Sequence, residues 1–164
     1  MEMFFVILNL TVFIIYNILI IRKFNIPESL SETTYLMGNK YWVFPLICGL
    51  FVFTILPIWL NIPPHNFDYI KFFSCGGLLF VGATPFFKQK FEGKIHYVAA
   101  IISLLGFISW FLLNGLYIWL LIDLIIFICS ILILNKKNFV YYGEVITWIT
   151  LLIFLLTLGS TTPT

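Results

Sequence analysis

Two carboxylate residues interrupt long apolar stretches of this sequence, and they are its best candidates for chemistry. Asp123 lies within YIWLLIDLIIFICSILI, and Glu144 lies within YYGEVITWITLLIFLL. An ionisable side chain in the middle of a membrane helix costs about 2.5–3.5 kcal/mol on insertion scales, so it needs either a partner or a function. Lys71 and His96 are the other two ionisable side chains in such stretches.

The polar side chains of the apolar stretches fall into two layers when residues are counted along helices of alternating direction. The outer layer consists of Asp123, Lys71, Asn9, Ser74 and Thr54. The inner layer consists of Glu144, His96, Asn17, Thr84 and Ser130. If these side chains face inwards, the bundle has an outer and an inner polar site, separated by an apolar middle.

The outer layer allows three interpretations. In the first, Asp123 and Lys71 form an ion pair, supported by Asn9, that fixes the packing of the helices. In the second, the same groups bind an ion or a substrate. In the third, loss of solvation keeps Asp123 neutral.

The inner layer allows two interpretations. Glu144 and His96 lie near the expected lipid headgroups, so one interpretation leaves both in contact with interfacial water. The other makes them a proton-accepting pair, because a histidine titrates near neutral pH. His65 lies in a connection, where a single histidine is interpreted as solvated.

Six hydrophobic stretches must position these side chains. Each approaches the roughly 20 residues that a helix needs to cross about 30 Å of hydrocarbon. The stretches cover about 3–21, 42–60, 69–86, 96–113, 116–134 and 141–158. We therefore predict an all-α, polytopic integral membrane protein, with six transmembrane helices in one bundle, short loops and a single domain over residues 1–164.

The basic residues predict the orientation of this bundle. Eight of the nine lie in the first, third and fifth connections: Arg22, Lys23, Lys40, Lys88, Lys90, Lys94, Lys136 and Lys137. Lys and Arg in short loops mark the cytoplasmic side of a membrane. We predict a plasma (inner) membrane protein with these three loops in the cytoplasm and both termini on the outer side.

The first connection carries a local structure signal of its own. Ser29-Leu30-Ser31-Glu32 fits a capping box, with Pro27 before it and Gly38 after it, and predicts a short interfacial helix over about 30–37. Its role is either to tie two helices together, with Leu30 and Met37 dipping into the bilayer, or to gate or face a substrate.

Small residues predict where helices pack closely, because they let backbones approach each other in lipid. They lie in the third and fourth stretches, at Gly76, Gly77, Gly82, Ala99, Ser103 and Gly106. Aromatic pairs at stretch ends, such as Tyr41-Trp42 and Tyr141-Tyr142, predict interfacial anchoring.

Composition excludes several classes of protein. The chain is 62% hydrophobic and 10% charged, against about 25% charged in soluble proteins. The net charge of +2 is explained by topology and gives no support for nucleic-acid binding. Cys48, Cys75 and Cys129 lie in apolar stretches without metal-ligand spacing, so we expect no metal and no cofactor.

Three functions fit these observations. The favoured one is a small inner-membrane protein of the channel or transporter type that binds or conducts a small polar species or ion. The second is a non-catalytic membrane scaffold or accessory subunit, in a homo-oligomer or with a partner membrane protein. The third is a lipid-modifying enzyme at the cytoplasmic leaflet using Glu32, His96 and Glu144; it is disfavoured because no catalytic residue stands beside an evident base or metal set.

Overall fold

The computed structural model describes residues 2–63, 65–134 and 136–159, and this part of the chain is helical without any strand. Seven α-helices follow one another along the described chain. They are α1 (Glu2–Phe24), α2 (Thr33–Leu36), α3 (Val43–Asn61), α4 (Asp68–Ala83), α5 (Lys90–Leu113), α6 (Tyr117–Ile133) and α7 (Phe139–Gly159). Two short 3₁₀ turns precede α3 and α7, at Gly38–Lys40 and Lys136–Asn138. The all-α prediction is confirmed.

Four helical segments are long and apolar enough to cross a membrane. They are Glu2–Phe24, Gly38–Asn61, Lys90–Leu113 and Lys136–Thr157. At about 1.5 Å per residue, α4 and α6 extend only about 24 and 26 Å, which is less than the hydrocarbon thickness of about 30 Å. The structure therefore supports a membrane location through four helices.

All helices except the single-turn α2 form a closed ring, which consists of α1, α3, α4, α5, α6 and α7. Each packs against its neighbours along the chain, α4 against α5 most extensively, and α1 packs against α7 to complete the circle. The interior is filled from α7, whose Trp148 stacks on Phe13 and tilts against Phe51, with ring centroids 4.7 and 4.3 Å apart. In contrast, α6 has no buried residue and forms the periphery.

Polar contacts between helix ends and connections define the two ends of the bundle. At one end, Asn61 Nδ2 donates to Glu2 Oε1 at 3.0 Å, and we call this the opposite end. At the other end, the first connection contacts the third through the ion pair of Glu32 with Lys88. The first connection also contacts the start of α7, where Tyr141 N–H donates to Glu28 O. This second end is the basic end. It carries all eight basic residues of the first, third and fifth connections.

Helix boundaries differ from the predicted ones where local chemistry intervenes. Helix α4 ends at Ala83 rather than near 86, because Pro85 disfavours helical conformation at the residue before it. Helix α5 already begins at Lys90, so the third connection is short. Gly115 separates α5 from α6 with a φ of 72°, a left-handed conformation that glycine adopts without strain.

The first connection folds into the bundle. Its helix α2 is a single turn, shorter than the predicted 30–37 segment. Leu30, Thr33 and Thr34 are buried by protein, so the prediction that Leu30 dips into the bilayer is wrong. Half of the capping box forms, since Glu32 N–H donates to Ser29 Oγ at 3.2 Å; the Glu32 carboxylate accepts instead from Glu28 N–H at 2.8 Å.

Candidate functional site

Glu144 is the carboxylate residue that joins α7 to the first connection at the basic end. It lies on α7, five residues after the helix begins at Phe139. Its Oε2 accepts a hydrogen bond from the backbone N–H of Leu30 at 2.6 Å, so the first connection covers it. Its Oε1 has no hydrogen-bond partner in the described part of the chain, which leaves one carboxyl oxygen available to a ligand.

The first connection is fastened to the start of α7 by three further hydrogen bonds. Asn138 Nδ2 donates to Ile26 O at 2.5 Å and to Pro27 O at 2.9 Å, while Tyr141 N–H donates to Glu28 O at 3.1 Å. These bonds satisfy backbone carbonyls that would otherwise be buried without partners. The connection is therefore held over Glu144 on two sides.

Polar side chains from α1, α2 and α7 surround this carboxylate. Tyr141 OH donates to Asn17 Oδ1 at 2.5 Å, and the hydroxyls of Tyr16 and Thr33 hydrogen-bond to each other. We call Tyr16, Asn17, Thr33, Tyr141 and Glu144 the inner polar cluster. Tyr16 and Tyr141 both lie within electrostatic range of Glu144.

The inner polar cluster differs from the predicted inner site. Of the five predicted residues, only Glu144 and Asn17 belong to it. Tyr141 and Tyr142 are buried, at 3% and 6% exposure, so they are not interfacial anchors. Two more polar atoms of this region, Thr34 Oγ1 and Tyr142 OH, are buried without a hydrogen-bond partner among the described residues. Unpaired buried hydroxyls of this kind are costly and mark a region that can accept a further polar group.

His96 lies in a separate environment on α5. Its Nδ1 donates to Thr84 O at 3.0 Å, and its ring stacks on Phe87 at 4.8 Å. No ion pair joins it to Glu144 within the residues described, so the predicted proton-accepting pair is not formed. Ser130 donates to Phe127 O of its own helix at 2.7 Å and joins neither group.

The third connection approaches the first through a cation. Lys88 Nζ lies 3.5 Å from Glu32 Oε1 and 4.7 Å from the centre of the Tyr35 ring. Lys88 N–H also donates to Tyr35 Oη at 2.8 Å. Lys88 is 57% exposed, so the contribution of this contact to stability is small, but it joins the third connection to the first.

Lys71 does not form the expected ion pair with Asp123. Its side chain is fully buried, and its Nζ lies 2.8 Å from Asp68 Oδ1. It also donates to Trp59 O at 2.8 Å and to Ile62 O at 3.3 Å, and it lies 4.7 Å from the Trp110 ring centre. Lys71 thus satisfies the carbonyls at the end of α3, where a cation is favoured, and joins α3 to α4.

The remaining outer residues are distributed over three places. Asn9 Nδ2 donates to Thr54 Oγ1 at 2.6 Å and joins α1 to α3. Ser74 Oγ donates to Ser103 O at 2.7 Å and joins α4 to α5. Asp123 faces the hydroxyls of Thr147 and Thr150 on α7, and its Oδ1 is buried with no hydrogen bond from a described residue. The predicted outer residues therefore do not converge on one site.

Small residues explain the close approach of α4 and α5. A Cβ added at Gly77 would lie 2.7 Å from Ala99 O and from Ser103 N, and one at Gly106 would lie 2.9 Å from Ser74 Cβ. Gly82 approaches Cys48 of α3 in the same way, at 2.9 Å. Gly76 differs, because a Cβ there would meet nothing within 4 Å.

The interior of the bundle beyond Glu144 is packed with aromatic side chains. One turn from Glu144 towards the opposite end, Trp148 lies between Phe13 and Phe51. Beyond it, a second aromatic group fills the bundle, made of Trp59, Trp110, Phe111, Trp119 and Phe154. Two cavities stand out on the described chain; both lie between neighbouring helices of the ring, and neither is lined by Asp123 or Glu144. No three His, Cys, Asp or Glu side chains of residues 2–63, 65–134 and 136–159 are grouped so that they could hold a metal ion.

Comparison with known proteins gave no family for this chain. No protein-family model, no curated protein and no solved structure matches it.

Tyr16, Thr33 and Asn138 belong to the polar region around Glu144 without having been predicted from the sequence, and Tyr141 belongs to it although the sequence predicted an interfacial anchor. Asn138 carries no usable signal, because its partners are the carbonyls of Ile26 and Pro27, which are 112 and 111 residues away. The tyrosines carry no such signal, because a tyrosine near a helix end is equally typical of a membrane interface.

Proposed function

We propose that this chain is a six-span inner-membrane protein of the channel or transporter type, and that it binds a small cation at Glu144. The single observation that carries the proposal is the Glu144 carboxylate, held within the basic end under the first connection with Oε1 unpaired. A partly buried carboxylate with tyrosine hydroxyls nearby is a typical environment for a cation or an ammonium group.

Six spans, rather than four, are favoured by the neighbours of the two short helices. Helices α4 and α6 lie in the same ring as the four longer ones and contact them on both sides. A hydrophobic helix a few ångströms too short is accommodated by local thinning of the bilayer at modest cost. The exposed face of α6 is almost entirely apolar, which suits contact with lipid.

The orientation follows from the basic end. Eight Lys and Arg residues lie there, whereas the opposite end carries one, the buried Lys71 that pairs with Asp68, together with Glu2 and His65. We therefore place the basic end in the cytoplasm, with both termini of the bundle outside. Glu144 is then reached from the cytoplasm, through or beside the first connection.

Binding is better supported than conduction. Trp148 fills the interior one turn beyond Glu144, so a passage from Glu144 through the bundle requires Trp148, Phe13 or Phe51 to move. The first connection is the natural gate on the cytoplasmic side, because its Leu30 N–H occupies one oxygen of the same carboxylate that binds the cation.

Ligand-dependent stability tests the binding site. A ligand at 100 times its dissociation constant stabilises the folded state by about 2.7 kcal/mol. We expect one species in a panel of Li⁺, Na⁺, K⁺ and methylammonium to raise the melting temperature of the wild type in lipid nanodiscs. Glu144→Gln should abolish this increase, because the neutral amide does not attract the cation.

Glu92→Gln is the matched control. Glu92 is also a carboxylate at the basic end and also accepts a hydrogen bond from a backbone N–H, that of Phe86 at 3.1 Å. The increase should persist in this variant. Equal increases in wild type and Glu144→Gln, or no increase with any cation of the panel, would show that the proposal is wrong. Flux of the bound cation into proteoliposomes, lost in Glu144→Gln, then supports transport.

A membrane scaffold or accessory subunit is the second candidate. The packed aromatic interior favours it, because a subunit that moves no solute needs no passage. Gly77 and Gly106 already pack against the facing helix of the α4–α5 pair, so a partner helix would have to bind elsewhere on the ring. Binding of no cation, together with a stoichiometric partner that co-purifies, would favour this function. The lipid-modifying enzyme stays the least supported, since His96 bonds to Thr84 and Glu144 to Leu30.

A further inference from the structure

The outer face of the α4–α5 pair contains an open apolar groove of about 460 Å³. Its floor is Gly76 and Gly77, and its walls come from both helices. The lining residues are Phe72, Phe73, Gly76, Gly77, Phe80, Lys94, Ile95, Val98, Ala99 and Ile102.

The groove exists because residue 76 has no side chain. The close approach at Gly77 draws α4 onto α5, while the neighbouring Gly76 turns away from α5 and leaves its space empty. On either side stand Phe73 and Phe80, which are 64% and 61% exposed. The result is a slot with a smooth floor and aromatic sides, open towards the surroundings of the bundle.

The length of the groove matches one leaflet of a bilayer. From Lys94 to Ile102 it follows eight residues of α5, a rise of about 12 Å. Half of a hydrocarbon core of about 30 Å is about 15 Å. One acyl chain of the leaflet at the basic end therefore fits along it.

The groove has a charged residue at one end. Lys94 is one turn after the beginning of α5 at Lys90, and its side chain lines the groove at the level of the basic end. The nearby acid, Glu92, is turned towards Phe86 N–H. The start of α5 also adds the partial positive charge of a helix N-terminus.

We propose that this groove is a binding site for a phospholipid with an anionic headgroup. An acyl chain lies over Gly76 between Phe73 and Phe80, and the headgroup phosphate lies at Lys94. The complementarity is of two kinds: an apolar slot one leaflet deep, and a cation where the headgroup begins. This site is independent of the cation site proposed at Glu144, which lies on α7 and does not line the groove.

Native mass spectrometry of the full chain tests the site, with phosphatidylglycerol and phosphatidylcholine of identical acyl chains as probes. One basic residue near an anionic surface changes affinity by about fivefold. We expect the wild type to retain one phosphatidylglycerol about fivefold more tightly than phosphatidylcholine. Lys94→Gln should remove this preference, and Lys90→Gln, an exposed lysine outside the groove, should keep it.

Gly76→Leu tests the slot itself. A side chain at residue 76 has free space and should fill the groove without disturbing the α4–α5 contact, so both lipids should be lost while the melting temperature is kept. Gly49→Leu on α3 is the matched control, since a Cβ there also meets nothing within 4 Å. Retention of phosphatidylglycerol by both Lys94→Gln and Gly76→Leu overturns the proposal. A dimer that Gly76→Leu converts to a monomer, without any lipid preference, also overturns it and assigns the groove to a second copy of the chain.

Discussion

Replacing Lys71 by methionine removes a buried cation that joins the end of α3 to the start of α4. Its Nζ lies 2.8 Å from Asp68 Oδ1 and 2.8 Å from Trp59 O, and the side chain is 0% exposed. Methionine is flexible and apolar, so it fills most of the same space. The loss is therefore mainly that of the ion pair and of the bonds to the carbonyls.

The expected cost follows from these contacts. Removing one partner of a buried ion pair costs about 3–5 kcal/mol. Because Asp68 is 31% exposed, water can solvate the carboxylate that remains, and we expect the lower end of the range, about 3 kcal/mol. At about 2–4 °C per kcal/mol for a chain of this size, the melting temperature should fall by about 6–12 °C.

A thiol-reactive fluorophore measures this change in detergent. The exposed Cys129 is replaced by serine in every variant, and Cys48 and Cys75, which are 0% and 3% exposed, then react when the bundle unfolds. Lys90→Met, at an exposed position at the start of α5, is the control. A melting temperature of Lys71→Met within 2 °C of that control, a margin below the smallest effect expected here, refutes the reasoning.

Double-mutant cycles identify the partner of Lys71. The cycle with Asp68→Asn should give a coupling energy above about 1 kcal/mol, because the two groups are in contact. The cycle with Asp123→Asn should be additive within about 0.5 kcal/mol. Strong coupling to Asp123 and none to Asp68 would mean that the arrangement of α4 described here is incorrect.

Two further predictions concern packing and topology. Gly106→Leu should destabilise the bundle by more than about 3 kcal/mol, as expected for strong overpacking, since its Cβ would lie 2.9 Å from a side chain of α4; an unchanged melting temperature contradicts this. Cysteines introduced at Lys40 and His65, in a background without the native thiols, should react with an impermeant maleimide from opposite sides of the membrane, and labelling from one side contradicts the proposed orientation.

The positions of the long helices could be predicted because they depend on properties that act locally. Each apolar stretch is long enough to form a helix whose length approaches the thickness of a bilayer. Asn114-Gly115 breaks the longest stretch where the structure places the turn, with Gly115 at positive φ. Pro85 ends α4 three residues earlier than the apolar pattern alone suggests, although the rule for residues before proline was available from the sequence.

The partner of Lys71 could also have been found. Asp68 precedes it by three residues, a spacing at which side chains on a helix meet. The apolar pattern starts the helix at residue 69, which leaves Asp68 outside it and makes Asp123, an acid at a similar depth, the expected partner of Lys71. The depth of a residue along its helix therefore predicts its ionic partner less well than its position around the helix does.

The partner of Glu144 could not have been predicted. Its hydrogen bond comes from the backbone N–H of Leu30, 114 residues earlier, and a backbone donor carries no signature in the side-chain sequence. The same holds for the separation of Glu144 from His96. Which way each helix is rotated depends on packing contacts such as Trp148 against Phe13, which involve apolar residues that are interchangeable in a hydropathy pattern.

The bonds between the first connection and α7 determine when the molecule can be completed during its synthesis. Ribosomes add about 5–20 residues per second, so the 114 residues between Leu30 and Glu144 take about 6–23 seconds to make. For that interval the polar backbone around Leu30 has no α7 to meet, and α1 lacks one of its two neighbours in the ring. Until α7 has been synthesised, the earlier helices therefore form an incomplete ring, and α7 completes it by packing between α6 and α1.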